Sequence, residues 1–481
     1  MRRPGPQPFD QPAASTGRGP LPEDGSIQAE LSTSRLPSRA ERRRAGEIAR
    51  VRVPLEAHAA WSPAADRLDP VALLESQDAN RIAELVPLRY GRMLVSPLTF
   101  YRGAALPMAV DLAATPVIRI EVQACGDAHL SNFGLFASPE RDLVFDITDF
   151  DETLRGPFEW DVKRLAASLV MAARVRGFGR HEARRAVHVA IRSYRERMAA
   201  YAAMRAIDVY YSRVDAAAIV AYADRRARPF LDTTLRSAGH HDALHELPKL
   251  TEAVDGGRRR IVDRPPIITH LASETPAVIA ATLATYRASL QEDRRVLLDR
   301  YELVDAALKV DGVGSVGFGA FAVLLDGGDR ADPLFLQLKQ AEPSVLERIL
   351  GPSPLPTAGE RVVAGQRRLQ AASDILLGWT VGPRGRHWYV RQLRDQKAGA
   401  VVDAMTSEDL QTWGELCGWS LARGHARSGE PATIAAYLGN EAAFERAIGA
   451  FAEAYADQAE RDHAALGAAV KAGRIAAERV A

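Results

Sequence analysis

The chain is organised around residues 126–151, which read GDAHLSNFGLFASPERDLVFDITDFD. Asp127 and Asn132 lie five positions apart between two glycines, a spacing typical of a loop whose side chains converge on one point. A turn-like stretch and the strand-like run 143–145 then lead to three further carboxylates. These are Asp146, Asp149 and Asp151. We therefore expect a cluster of carboxylate and amide oxygens close to a strand.

Such a cluster is unfavourable unless a cation neutralises it. Two ionised carboxylates within about 4 Å repel one another by roughly 1 to 4 kcal/mol, and a hard divalent cation reverses the sign of that energy. Single aspartates commonly cap turns, so each one taken alone is also compatible with a solvated loop. The combination of Asp127, Asn132 and Asp149 favours a metal-binding or catalytic site.

The composition narrows the class of protein. The 481 residues suffice for two or three domains or for one bilobal enzyme, and 47% hydrophobic residues allow a sizeable core. Lys and Arg (62) nearly balance Asp and Glu (61), so nothing indicates nucleic acid or an acidic membrane as a partner. The two cysteines, Cys125 and Cys417, are too few for a disulfide framework. Without a long apolar run or a secretory signal, we expect a cytoplasmic protein.

The N-terminal third is predicted to be a tail followed by helices. Residues 1–45 are rich in Pro, Gly, Ser and Arg, and we expect them to be disordered. A helical pattern begins near Ala40 and resumes at Pro70, with Asp69 as the predicted N-cap of the second helix. Residues 96–105, SPLTFYRGAA, are predicted to form a loop in which Arg102 either contacts an anion or lies on the surface.

The middle of the chain contains one strand and a long helical region. Alternating side chains predict a strand over 117–124, and the helix that begins with FEWDV carries Asp161 in its first turn. The Ala- and Arg-rich segment that follows is predicted to be mostly helical. His240, His241 and His245 could form a metal pair on a helix face, although no carboxylate third ligand is suitably spaced.

A glycine-rich β-hairpin is predicted over residues 308–344. Gly312, Gly314 and Gly317 stand in a G-x-G-x-x-G frame, and the second strand ends at Lys339. A helix is then predicted over 360–379, a strand over 387–393 and helices from Ser407 onward.

The context of the glycine frame favours a phosphate-binding loop. The dinucleotide version of this motif needs a helix directly after it, whereas FGAFAVLL continues as a strand. A glycine loop between two strands, with a lysine on the next strand, is how kinases bind nucleotide phosphates. Glycine is needed there because the backbone approaches the phosphates closely. The alternative is an ordinary glycine-rich hairpin with a solvent-facing lysine.

The acidic stretch matches the other half of a phosphoryl-transfer site. Asp127 and Asn132 have the D-x-x-x-x-N spacing of a kinase catalytic loop, and Asp149 follows a strand-like segment as a metal-binding aspartate does. The order is reversed relative to kinases, because here the glycine loop comes after the catalytic loop.

Two resemblances follow from these motifs. GDAHLSN (126–132) resembles the H-G-D-x-H-x-x-N of aminoglycoside phosphotransferases and choline kinases, with Cys125 at the position of the first His. TDFDETLRGPFEWDV (148–162) resembles their I-D-F-D-D stretch and later Y-D-L. From about residue 45 onward the chain is most similar to the DUF2252 family of uncharacterised bacterial proteins, through SPLTFYRGAA, GDAHLSNFG, FDITDFDET, GVGSVG, LFLQLKQAEPSVLE, GQRRLQAASDILLGWT and YVRQLRD.

The kinase resemblance implies an α+β, protein-kinase-like bilobal fold that is circularly permuted. Residues 46–304 would form a helical lobe with the catalytic loop, and 305–395 a small β-rich nucleotide-binding lobe. Residues 396–481 would then rejoin the helical lobe.

The same resemblance implies ATP and Mg²⁺ as cofactors and assigns roles to residues. Asp127 and His129 are the catalytic candidates, although His129 could simply hold the loop backbone. The metal-ligand candidates are Asn132, Asp149 and Asp151, with Asp161 as a structural support and Asp146 as a spare carboxylate. The nucleotide-binding candidates are Gly312, Gly314, Ser315, Gly317, Lys339 and its expected partner Glu347, with Val390–Leu393 as the linker that meets the adenine. His425 is expected to be a packed helix-end histidine.

Three functions remain open from the sequence. The first is a phosphotransferase that moves the ATP γ-phosphate to an unidentified small-molecule acceptor. The second is a metal-dependent phosphoester hydrolase that uses Asp127, His129, Asp149 and Asp151 around two ions. The third is a nucleotide-binding module without turnover, for which Cys125 is the hint.

Overall fold

The computed structural model describes residues 36–222, 228–239, 243–254, 259–271, 276–328, 332–393 and 397–478. Helices and antiparallel strands occur in separate parts of the chain, which confirms the expected α+β class. Residues 1–35 of the predicted tail lie outside this description. The helical pattern predicted from near Ala40 is confirmed by α1 (Arg39–Arg52), whose N-cap Ser38 accepts a hydrogen bond from the Glu41 amide, so the last residues assigned to the tail are helical.

The segment before the acidic stretch is helical. After α1 it contains α2 (Pro70–Glu75), α3 (Val86–Met93), α4 (Pro97–Gly103) and α5 (Ala105–Ala113), with short 3-10 helices at Leu55–Ala59 and Ala83–Leu85. The Asp69 cap is confirmed, because its carboxylate accepts a hydrogen bond from the Val71 amide at 2.9 Å. The loop predicted over 96–105 is instead α4 and the start of α5. Ser96 and Thr99 form a capping box there, and a proline occupies the first helical position.

The acidic stretch forms two small antiparallel pairs of strands. They are β1 (Glu121–Ala124), β2 (Phe133–Ala137), β3 (Leu143–Ile147) and β4 (Leu154–Pro157), with a 3-10 turn at Leu130–Asn132. Strand β1 pairs with β4, and β2 pairs with β3. The strand predicted from residue 117 therefore begins four residues later than expected, and the predicted run at 143–145 is confirmed.

The predicted helical middle region is largely confirmed. It contains α6 (Phe158–Val175), α7 (Arg180–Ala203), α8 (Ala206–Tyr211), α9 (Ala216–Tyr222), α10 (Arg228–Gly239), α11 (Ala243–Leu250), β5 (Thr251–Ala253), β6 (Arg259–Ile261), β7 (Ile268–Thr269), α12 (Pro276–Arg287) and α13 (Glu292–Leu298). Of the proposed histidine pair, residues 240–242 and the side chain of residue 245 lie outside the described part of the chain.

A six-stranded antiparallel sheet follows. Besides β7 it contains β8 (Glu302–Lys309), β9 (Ala320–Asp326), β10 (Pro333–Gln340), β11 (Gly378–Val381) and β12 (His387–Gln392). Two helices, α14 (Glu347–Leu350) and α15 (Ala358–Leu369), lie between β10 and β11 in the chain. The strand order is β11-β12-β10-β9-β8-β7. The glycine segment, residues 310–319, connects β8 to β9. Lys339 on β10 lies between Ala320 and Tyr389 on the two neighbouring strands. The helix predicted over 360–379 is wrong at its end, because α15 stops at Leu369 and β11 starts at Gly378.

The C-terminal part of the chain returns to the hairpin of β2 and β3, here called the acidic hairpin. It contains β13 (Ala398–Gly399), a 3-10 turn at Val402–Ala404, α16 (Ser407–Ser428), α17 (Pro431–Leu438) and α18 (Ala443–Lys471). Strand β13 pairs with β2, which makes the acidic hairpin a three-stranded sheet.

Separate hydrophobic cores stabilise the helices and the large sheet. The largest core joins α6, α7, α16 and α18 with β1, β2 and β3. A second core packs α12 against one face of the six-stranded sheet, and a smaller one covers the other face. Cys125 and Cys417 are buried free thiols. None of the described helices is both long enough and apolar enough to span a bilayer.

Candidate functional site

A cavity of about 650 Å³ lies between the six-stranded sheet and the acidic hairpin. Lys309, Lys339 and Arg391 line it from the sheet, and Asp149 lines it from the hairpin. A smaller compartment of about 100 Å³ adjoins it beneath the glycine segment and also contains Asp149. The acidic stretch and the glycine segment thus face one another across a single cleft.

The acidic loop is fixed at its entrance by buried side chains. Asp161, in the first turn of α6, accepts hydrogen bonds from the amides of Cys125 (2.6 Å) and Gly126 (2.9 Å). His425 Nε2 of α16 lies 3.1 Å from Asp161 Oδ2, the oxygen that also accepts from the Cys125 amide. Gly126 has φ +81°, and a Cβ there would lie 2.1 Å from the Glu152 carbonyl oxygen. The supporting role expected of Asp161 is therefore confirmed, and His425 is a packed histidine that holds it.

Asp127 and Asn132 lie side by side in this loop. The Asn132 amide nitrogen donates to the Asp127 carbonyl at 2.8 Å. The Asp127 carboxylate is bound on one oxygen by Arg164 of α6, whose Nε lies 2.7 Å away. Its other oxygen is 3.7 Å from His129 Nε2. One oxygen of Asp127 is thus held by an arginine, and the residue lines the smaller compartment.

His129 is a neutral, buried side chain at ordinary pH. Only 3% of it is exposed, and its Nδ1 has no hydrogen-bond partner in the described part of the chain. Burial lowers the pKa of His129 to about 4, although Asp127 acts in the opposite direction.

His129 should make the protein sensitive to acid. The unfolded chain binds a proton at this histidine near pH 6.5 and the folded chain only near pH 4, so acid favours unfolding within that window. We expect His129 to account for a loss of roughly 3 kcal/mol in the free energy of unfolding across it. Urea unfolding of the parent and His129→Gln, at about pH 7 and about pH 4.5, measures this loss.

The His129→Gln variant should lose less stability on acidification than the parent. Some loss should remain, because burial also lowers the pKa of His58 to about 3. A control variant of the exposed His181, His181→Gln, should behave like the parent. An unchanged acid loss in His129→Gln would contradict the assignment.

Lys339 lies opposite the aspartates. Its ammonium contacts the Asp151 carboxylate and lies 3.8 Å from Asp149 Oδ2. Asp151 also accepts a hydrogen bond from the Tyr389 hydroxyl at 2.8 Å. Burial works against ionisation of Asp149, but Lys339 and Arg391 outweigh it and lower the pKa of Asp149 to about 2. Asp149 therefore stays ionised, with a third of its side chain exposed to the cavity.

The expected pair between Lys339 and Glu347 is not formed. Glu347 accepts a hydrogen bond from the Ser344 amide at 3.0 Å and lies 3.3 Å from Arg361 Nε. The buried Arg361 is therefore the ion-pair partner of Glu347, and Asp149 and Asp151 are the ion-pair partners of Lys339.

The glycine segment is held by arginines from the N-terminal helices. Arg81 donates to the carbonyls of Gly314 (2.9 Å) and Val316, and Arg92 donates to the Gly312 carbonyl at 2.7 Å. Gly312 and Gly317 have φ +72° and +92°, which only glycine adopts readily. Arg81, Arg92 and Arg164 could not be predicted from the sequence, because their partners lie far away along the chain and no local motif marks them.

Two further expectations change with the structure. Asp146 is fully buried and bound by Arg423 of α16, so it is a structural carboxylate and not a spare one. Residues Val390–Leu393 lie mostly inside β12. The Gln392 amide donates a hydrogen bond to the Asp374 carboxylate, and the Leu393 amide donates one to the Phe335 carbonyl. The continuation of this linker, 394–396, lies outside the described residues.

The oxygen atoms on the cavity floor suit a hard cation. The Asn132 amide nitrogen is used within the loop, which leaves its oxygen available as a ligand, and Asn132 lines the same smaller compartment as the ionised Asp149. Mg²⁺ is commonly held by one or two carboxylates together with substrate phosphates. Within the described residues no group of three or more His, Cys, Asp or Glu side chains is preformed for a metal ion. Asn132 and Asp149 alone therefore offer two oxygen ligands of the kind that Mg²⁺ accepts.

Comparison with known proteins identifies one family. No curated protein and no solved structure matches the chain. Residues 81–469 match the family model described as DUF2252, an uncharacterized protein conserved in bacteria. The motifs at the cleft lie inside this range, and the chain therefore belongs to the DUF2252 family.

Proposed function

We propose that this protein is an ATP- and Mg²⁺-dependent phosphotransferase that moves the γ-phosphate to a small-molecule acceptor. The observation that carries the proposal is the 3.8 Å separation of Lys339 Nζ and Asp149 Oδ2 at one cavity of about 650 Å³. A buried cation and an ionised carboxylate, contributed by segments far apart in the chain, are the groups that phosphoryl transfer needs.

The nucleotide would lie between the glycine segment and Lys339. Backbone amides at Gly312, Gly314, Ser315 and Gly317 can approach phosphates closely because most of these positions lack a Cβ. Lys339 would bind phosphate oxygens as a point charge. When bound, Mg²⁺ neutralises charge on the phosphates, and Asn132 and Asp149 are the residues that would hold it.

Asp127 would orient the acceptor hydroxyl or amine and take its proton. Arg164 holds one oxygen of this carboxylate at 2.7 Å, which fixes the orientation of a carboxylate that lines the smaller compartment. A carboxylate held in one orientation beside the reacting group is what a general base requires. His129, neutral and 3.7 Å away, would complete the wall beside it.

A protein-kinase-like, permuted arrangement of two lobes is part of the proposal. The separate cores of the sheet and of the helices support it. So does the return of β13 and α16 to the acidic hairpin after the sheet. A cytoplasmic location is proposed with it, as the pool of ATP requires.

The hydrolase alternative has less support. It needs Asp127 and Asp151 as ligands of two ions, but Arg164 already binds Asp127, and Lys339 and Tyr389 bind Asp151. A hydrolase also has no use for the glycine segment.

Thermal unfolding with ATP, in the presence and absence of Mg²⁺, tests the proposed function. Saturating ligand at about 100 times its dissociation constant should stabilise the parent by about 2.7 kcal/mol. We expect the magnesium-dependent part of this shift to disappear in Asp149→Asn, because the amide removes the charge that faces the metal. Asp142→Asn is the matched control, since Asp142 lies on the same hairpin, is 52% exposed and pairs with Arg213.

The control should keep the full magnesium-dependent shift. A parent that shows no shift with ATP and Mg²⁺ would contradict the proposed function. A parent that shifts, yet transfers phosphate neither to water nor to any acceptor, would favour a nucleotide-binding module without turnover.

A further inference from the structure

Arg102 is a cation in the cleft whose guanidinium has no hydrogen-bond partner in the described part of the chain. It lies in the last turn of α4 and lines the smaller compartment together with Asp127 and Asn132. Its Nε is buried without a hydrogen-bond partner, and no hydrogen bond or ion pair of its guanidinium occurs within the described ranges. Such a group points to a ligand that supplies the missing acceptors.

The neighbouring arginines are all engaged. Arg81 and Arg92 bind carbonyls of the glycine segment. Arg164 binds the Asp127 carboxylate, and Arg391 donates to the Thr148 carbonyl at 2.9 Å. Arg102 lines the smaller compartment and differs from these four because its guanidinium has no hydrogen-bond acceptor among the described residues.

The surroundings of Arg102 resemble a place for a phosphate group. A Cβ on Gly314 would lie 3.3 Å from the Arg102 carbonyl oxygen, so the glycine segment passes directly over this turn of α4. Asp127 and Asp149 are close enough to favour the charged form of Arg102, whereas burial lowers its pKa. A partly desolvated guanidinium without an acceptor is costly, and a bidentate anion removes that cost.

The size of the two compartments separates the parts of a nucleotide. The larger, of about 650 Å³, can hold a base, a ribose and the first phosphates. The smaller, of about 100 Å³, is too small for a base and a ribose but has the size for a single phosphate group. Arg102 lines only the smaller one, which also contains Asp127, the residue proposed to face the acceptor.

We propose that Arg102 binds the terminal phosphate of a nucleoside triphosphate, so that the cleft prefers a triphosphate to the corresponding diphosphate. This rests on the proposed function, because it takes the nucleotide to lie between the glycine segment and Lys339. The planar fork of arginine matches two phosphate oxygens, and a lysine at this position would supply only a point charge.

Calorimetric titration of the full chain with ATP and with ADP, both with Mg²⁺, tests the proposal. The parent should bind ATP more tightly than ADP. In Arg102→Gln the affinity for ATP should fall about 10- to 100-fold, the loss expected for a hydrogen bond to a charged group. The affinity for ADP should change little, and Arg102→Lys should keep part of the preference for ATP.

Arg287→Gln is the control, since Arg287 is 44% exposed, pairs with Asp299 and does not line the cleft. It should bind both nucleotides like the parent. Arg102→Gln should unfold at the same temperature as the parent, because no hydrogen bond within the protein is lost. If Arg102→Gln does not fold, Arg102→Lys is the deciding variant. A preference for ATP over ADP in Arg102→Lys as large as that of the parent would overturn the proposal.

The outcomes separate this proposal from the proposed function. A parent that binds neither nucleotide contradicts both. A parent that binds ATP, together with an Arg102→Gln variant that keeps the ratio of ATP to ADP affinity, overturns the role of Arg102 and leaves the nucleotide site standing. Equal weakening of both nucleotides also overturns it, because the arginine would then act on a phosphate that they share.

Discussion

Lys339→Met is expected to weaken the binding of ATP with Mg²⁺ by at least about 30-fold, measured by calorimetric titration. Removal of one partner from a buried, hydrogen-bonded charge pair typically costs 2 kcal/mol or more. Only 5% of Lys339 is exposed, and its ammonium is the cation that faces Asp149 and Asp151. Without it, the phosphates of the nucleotide would meet two uncompensated carboxylates.

Methionine keeps the unbranched shape and most of the length of the lysine side chain, so the packing of β10 against Tyr389 should survive. Lys163→Met is the matched control: Lys163 is fully buried, bonds Thr115 and does not line the cleft. If it is folded, it should bind the nucleotide like the parent.

If Lys339→Met binds the nucleotide as tightly as the parent, the phosphates do not contact Lys339 and the proposed position of the nucleotide is wrong. Loss of binding together with undiminished hydrolysis of a phosphoester substrate would support the hydrolase instead. The same variant therefore separates the two enzyme classes.

Local patterns predicted the two halves of the cleft. The glycine segment between strands, the lysine on the following strand and the acidic loop depend on residue types at short spacings, and such signals survive without knowledge of the tertiary fold. The Asp69 cap was predicted for the same reason. Helix α4 was missed although its signal was also local, since Ser96, Pro97 and Thr99 form a recognisable helix start.

Long-range partners could not be predicted. Glu347 is the nearest acidic residue on the next helix and was a reasonable choice for Lys339, but Arg361 takes it in the folded chain. Asp146 and Asp149 look alike in the sequence, yet one is sealed in the core by α16 and the other lines a cavity. Which carboxylate is buried depends on contacts made hundreds of residues later, and these are set by packing.

The buried pair of Asp146 and Arg423 leads to the largest expected effect on stability. Both side chains are fully buried, and Arg423 Nη2 lies 2.7 Å from Asp146 Oδ2. Asp146 also accepts hydrogen bonds from the Ser420 hydroxyl and the Ala371 amide, both at 2.8 Å. One carboxylate thus ties the strand that leads to Asp149 to α16 and to the chain that follows α15.

Asp146→Ala is expected to lower the free energy of unfolding by about 3 to 5 kcal/mol, measured by urea unfolding. The alanine leaves the Arg423 guanidinium charged and buried without a counterion, and that penalty outweighs the lost attraction. A loss of this size is a large part of the 5 to 15 kcal/mol that typical domains possess.

Two comparisons separate this explanation from a general effect of losing an aspartate. Asp142→Ala removes a carboxylate from the other end of β3 that is 52% exposed, and it should cost less than about 1 kcal/mol. Adding Arg423→Met to Asp146→Leu should recover much of the stability lost in Asp146→Leu alone, because the unpaired charge is then gone. If the double variant is no more stable than Asp146→Leu, the hydrogen bonds to Ser420 and Ala371 carry the energy, and the charge pair does not.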